Sequence, residues 1–213
     1  MLHASKSKPL SRRLTSRLFA YASLASAAAT CAQAEVIYTP TDHPIHSNYF
    51  LDLNKDGFDD FQLTSYDYSD EGEAQVFALP GNRMVAVSFP CGPRSDSPAA
   101  APLQAGAVIG QGKPFRHDAT CMAFSLYGAN GPWFLKQDHY LGFAFNIDGK
   151  EHFGWARLSL GRFVFDHTAT ITGYAYETVP GKAIIAGDEG NSGEVSTASA
   201  TLGALALGAP GLD

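Results

Sequence analysis

Between Val36 and Asp188 the chain alternates short apolar runs with Gly, Pro, Asn and Asp, and no window of helical length carries a helical apolar period. Met84–Phe89 and Cys121–Tyr127 are apolar and bounded by Gly or Pro, the pattern of short strands. Tyr140–Ile147 runs into Asp148-Gly149 and then Glu151–Leu160. That predicts a hairpin, because Asp-Gly accepts the positive φ angles of a type I′ turn. Ala169–Tyr176 alternates small or polar residues with larger ones, and Ala183–Ala186 closes the series. About ten short strands separated by turn residues predict an all-β fold, an antiparallel β-sandwich over residues 35–188. Pro90–Pro114 is rich in Pro, Ala, Gly and Ser and reads as a long loop.

One turn breaks the pattern. Asp52-Leu53-Asn54-Lys55-Asp56-Gly57-Phe58-Asp59-Asp60 places oxygen-bearing side chains at loop positions 1, 3, 5 and 9, with glycine at 6. Calcium takes six to eight oxygen ligands, and alternate residues of a tight loop can supply them. The predicted ligands are Asp52, Asn54, Asp56, the Phe58 carbonyl and Asp60, with Gly57 allowing the sharp turn. A helix–loop–helix calcium site would need a glutamate where Leu63 stands, and both flanks read as strands. Asn, Asp and Gly also form metal-free turns, but a mere turn has no need of Asp52 and Asp60. The loop resembles the calcium loops in repeats of the integrin-propeller type (FG-GAP), over about ten residues only, with no wider fold implied. The ion would be structural.

Residues 1–34 read as a secretory signal peptide. Lys6, Lys8, Arg12, Arg13 and Arg17 form the basic region, Leu18–Ala29 the apolar stretch, and Ala32-Gln33-Ala34 the cleavage site. The apolar stretch falls short of the roughly 20 residues of a spanning helix. Ala28 and Thr30 fit poorly before a lipidated Cys31. Cleavage before Glu35 removes five of the 15 bases and none of the 21 acids, leaving a net charge of −11. Such a chain is not a nucleic-acid binder. Eight of the acids lie between Asp52 and Glu73 with Lys55 the only base, a cluster that a cation would relieve. Asp67, Asp70, Glu71 and Glu73 read more simply as a solvated face. Cleavage also leaves an even pair, Cys91 and Cys121, predicting one disulfide in an exported protein. It would close a loop of about 30 residues, worth roughly 3–4 kcal/mol.

After Asp188 the composition shifts to Gly, Ser, Thr and Ala, and residues 189–213 read as a linker and short hydrophobic tail. The block Tyr140–Phe143, Phe153-Gly154-Trp155-Ala156-Arg157-Leu158 and Ile171–Lys182, with this tail, resembles a β-rich segment of bacterial exported proteins that carry PEP-CTERM sorting tails. The chain departs from that pattern in lacking Pro-Glu-Pro and terminal arginines. The resemblance implies export to the cell envelope or extracellular matrix. The tail, broken by Gly203, Gly208, Pro210 and Gly211, implies at most weak membrane association.

No catalytic signature is present: neither a Gly-x-Ser-x-Gly elbow, nor a phosphate loop, nor His-Glu-x-x-His. His43 and His46 could share a metal on a helix, which Pro44 opposes. The adjacent pairs His117-Asp118, Asp138-His139 and Asp166-His167 would point to opposite faces of a strand. Asp148, Glu151, Asp166 and Glu177 are the carboxylates a glycan hydrolase could draw on, though surface carboxylates explain them as well. The aromatics of the second half fit a core between sheets. Trp133, just after Gly128–Pro132, is the one expected to be exposed and is the candidate glycan contact. The lead expectation is a non-enzymatic exported protein, with a glycan or matrix polymer as candidate partner; a carbohydrate-binding module and a hydrolase are the alternatives.

Overall fold

In a computed structural model of the chain, Asp148 and Gly149 take φ of 51° and 75°, so the expected hairpin turn is formed. The structure describes residues 35–68, 71–89, 98–124, 130–161 and 169–190, all in the unit that begins at Ala34. In these the chain is all-β, with thirteen strands and no helix. They are β1 (Val36–Ile45), β2 (Asn48–Leu51), β3 (Phe61–Tyr68), β4 (Glu71–Ala78), β5 (Arg83–Val87), β6 (Ala99–Ala100) and β7 (Val108–Ile109). There follow β8 (Phe115–Arg116), β9 (Cys121–Phe124), β10 (His139–Ile147), β11 (Lys150–Leu160), β12 (Ala169–Glu177) and β13 (Ile184–Ile185).

Hydrogen-bonded neighbours run in the order β1-β12-β11-β10-β5-β6-β9-β4-β3-β2, with β8 beside β5 and a separate pair β13-β7. The path does not divide into the two sheets of the expected sandwich. β5 bridges what would be the two halves: Arg83 and Met84 pair with β10, and Ala86 and Val87 pair with β6. The end strands β1 and β2 are consecutive in the chain and joined by His46-Ser47 alone, so the sheet comes near to a barrel. Pairing is antiparallel except where Ala99 meets Cys121 in parallel.

β1 holds both Pro40 and Pro44. Proline is tolerated on an edge strand, and β1 is one, with its register shifting between Pro40 and His43.

Alternation along β10 and β11 builds two cores. Leu141, Phe143, Phe145, Ala156, Leu158 and Leu160 face a main cluster with Phe61, Met84 and Trp133. Tyr140, Ala144, Phe153 and Trp155 face a second cluster, with Val85, Ile109 and Ile184. Ala101, Leu103 and Ile109, from the stretch that reads as a loop, join this second cluster. They pack so closely on β10 that a Cβ on Gly142 would lie 3.0 Å from Leu103 Cδ1 and 3.2 Å from Ile109 Cγ1.

Candidate functional site

The acidic loop joins β2 to β3, as the sequence predicts, and Leu51 pairs with Phe61 across its base. The Asp60 amide donates to the Leu51 carbonyl at 2.8 Å, closing the neck. Above it the backbone turns sharply, with φ of 60° at Lys55 and 91° at Gly57. Glycine suits the second position because a side chain there would be strained.

The carboxylates point into the loop and gather its amides. Asp52 Oδ1 accepts from the Asp56 amide at 3.2 Å, and Oδ2 from the Gly57 amide at 2.8 Å. Asp56 Oδ1 accepts from the Phe58 amide at 2.9 Å, and Oδ2 from Asn54 Nδ2 at 2.8 Å. Asp60 is buried; its Oδ2 accepts from the Leu53 amide at 2.9 Å and its Oδ1 from Asn82 Nδ2 at 3.1 Å. Each carboxylate oxygen keeps a lone pair beyond these bonds. Asn54 Oδ1, turned inward from the loop's third position, is buried and has no hydrogen-bond partner.

Burial raises the Asp60 carboxyl to about 6, and the nearby charges of Asp52 and Asp56 add to the rise. The Leu53 amide and the Asn82 side chain oppose it. A cation between these residues would reverse the balance, since an opposite charge favours the carboxylate. The expected ligands include a side-chain amide and a main-chain carbonyl; among the described residues no three His, Cys, Asp or Glu side chains gather as a metal cluster. The Phe58 ring projects outward, 78% exposed.

Trp133 corrects the sequence expectation. It is fully buried, and its indole Nε1 donates to the Ala100 carbonyl at 2.9 Å. Asn130 pairs with Phe124 and the Trp133 amide donates to the Met122 carbonyl at 3.1 Å, so β9 draws the residue into the main core. It presents no face to a sugar. The other aromatics of the second half follow the core reading: Phe143, Phe145, Phe153 and Trp155 are wholly buried, and Tyr140, Tyr174 and Tyr176 nearly so. Phe163 and Phe165 lie outside the described residues.

The remaining candidates are scattered or engaged. His43 and His46 are exposed on and just after β1, and His43 packs on Tyr49 with ring centroids 4.8 Å apart. Asp118 is held down at about 2 by its hydrogen bonds to Arg116. His139 contacts Gln104 through Nε2 and the Gln137 carbonyl through Nδ1. Glu151 pairs with Arg83. Glu177, 1% exposed, accepts from the Val179 amide and from Lys182 Nζ at 2.7 Å, fixing the turn after β12. Asp148 lies in the hairpin turn, while Asp166 and His167 lie outside the described residues.

Cys121 is buried at the start of β9 and is not free; Cys91 lies outside the described residues. Beyond Asp188, Glu189 Oε1 lies 3.4 Å from Arg157 Nη1, and the Gly190 amide donates to Asp188 Oδ1 at 3.0 Å. Residues 1–34, expected to form a signal peptide, and residues 191–213 lie outside the described residues, among which no helix is long and apolar enough to cross a membrane. Asn82 is the residue that sequence reasoning missed; beside Gly81 it reads only as a turn former. Comparison with protein-family models, curated proteins and solved structures gave no match.

Proposed function

We propose that this chain is an exported, non-enzymatic β-protein of the cell envelope or extracellular matrix whose 52–60 loop holds one structural calcium ion. The observation that carries the calcium reading is Asn54 Oδ1, a buried acceptor left without a partner at the third position of a loop of carboxylates. A buried polar atom without a partner is costly, and an ion coordinated there would satisfy it. The ligands are Asp52, Asn54, Asp56, the Phe58 carbonyl and Asp60. Calcium would offset the repulsion among three aspartates and pin β2 to β3, a role in stability and not in chemistry.

Export rests on the N-terminal signal and on the resemblance to proteins with sorting tails. The Cys91–Cys121 disulfide belongs to the same reading and is supported by the engaged state of Cys121. As to fold, the sandwich expectation is kept in altered form, as a strongly bent sandwich approaching a barrel, with β5 shared by both halves. The carbohydrate-binding alternative loses the residue that suggested it, since Trp133 is core.

Isothermal titration of calcium into chelator-treated protein tests the proposal. One binding site per chain is the expected result, abolished by Asp52→Ala together with Asp56→Ala. No heat of binding at millimolar calcium would overturn it.

A further inference from the structure

Asp60 is the least exposed of the five proposed ligands, and its orientation is set from outside the acidic run. Asn82, 7% exposed in the turn between β4 and β5, donates through Nδ2 to Asp60 Oδ1 and to the Asp60 main-chain oxygen, each at 3.1 Å. The Leu53 amide holds the other carboxylate oxygen at 2.9 Å. The carboxylate is therefore gripped at both ends. The Leu79 amide, donating to the same main-chain oxygen at 3.0 Å, brings the turn against the loop.

Asn82 also faces the opposite way. Its Oδ1 accepts from the Asn146 amide at 3.2 Å, near the end of β10, and Asn146 Nδ2 donates to the Gly81 carbonyl at 2.9 Å. Beside this contact Arg83 pairs with Glu151 at the start of β11. A single buried amide thus touches the acidic loop through its donor and the β10–β11 hairpin through its acceptor.

We propose that Asn82 is the positioning residue of the cation loop, holding the Asp60 carboxylate for the ion and tying the loop's occupancy to the order of the β10–β11 hairpin. The inference rests on the calcium reading above. Partners that orient a ligand commonly change metal affinity by tenfold or more when removed. An ion that fixes Asp60 also fixes the donor of Asn82, and a side-chain amide held at one end is held at the other.

The test combines calcium calorimetry with amide hydrogen exchange on the full-length protein. Asn82→Ala should weaken calcium binding about tenfold. In the unsubstituted protein calcium should slow exchange of the Asn146 amide, and in Asn82→Ala that slowing should vanish. Asn146→Ala, which leaves both bonds from Asn82 to Asp60 in place, should bind calcium normally. If Asn82→Ala does not fold, Asn82→Leu removes donor and acceptor without adding charge and with little change in side-chain size, and is read the same way. Calcium binding with equal affinity in the Asn82 variant, or an Asn146 amide indifferent to calcium, would overturn this inference and leave the calcium reading standing. Failure of the unsubstituted protein to bind calcium would overturn both.

Discussion

Trp133 donates its indole hydrogen to the carbonyl oxygen of Ala100, 33 positions earlier, from a wholly buried site. The bond ties the segment after β9 to β6, which otherwise contributes only two residues to the sheet. Trp133→Phe should cost about 1–3 kcal/mol, because it strands a buried carbonyl. Trp133→Ala should cost about 3–5 kcal/mol through the cavity it leaves. Chemical denaturation checks both, and a neutral Trp133→Ala would place this residue at a surface after all.

Asp60 predicts an opposite pH dependence with and without calcium. In the calcium-free fold its carboxyl sits at about 6, above the ordinary 3.8, so the folded state favours the neutral form. Its contribution to stability therefore falls as pH rises from about 4 to about 6. Calcium needs the carboxylate, so the stabilisation by calcium should shrink as pH drops below about 6. Melting curves across this range, with calcium and with chelator, should diverge as pH rises. Asp60→Asn should flatten the chelated profile; an unchanged profile would assign the dependence to another group.

The Glu189–Arg157 contact also yields an outcome. Ending the chain at Gly190 should leave the melting temperature unchanged. Ending it at Asp188 removes the Glu189 partner of Arg157, and should cost about 0.5–1 kcal/mol, since Arg157 is a quarter exposed and the pair is long. Equal stability of the two truncations would show that the Glu189 contact contributes nothing.

How far the sequence foretold this structure depended on the range of the interactions involved. The Asp148-Gly149 hairpin and the acidic loop between β2 and β3 were legible because turn chemistry is local. That the two prolines of β1 are tolerated follows from its edge position, which is a property of the assembled sheet. Trp133 follows a Gly-Pro turn that suggests exposure; its burial depends on β9 and Ala100, which no local pattern reveals. The second core was missed for the same reason, because Leu103 and Ile109 matter only once they close over Gly142. In the candidate site the turn carrying the carboxylates was legible, whereas the contact of Asn82 with Asp60, 22 residues away, was not.

The central claim is that the 52–60 loop binds calcium, and the melting temperature of the protein in calcium against chelator tests it most directly. Saturating calcium should raise stability by RT ln(1 + [L]/Kd), about 2.7 kcal/mol at a hundredfold excess over Kd. Asp56→Ala should abolish the gain while leaving the chelated protein folded, because Asp56 is exposed and its hydrogen bonds lie within the loop. A melting temperature that is the same in calcium and in chelator would contradict the account and leave the loop as a hairpin turn.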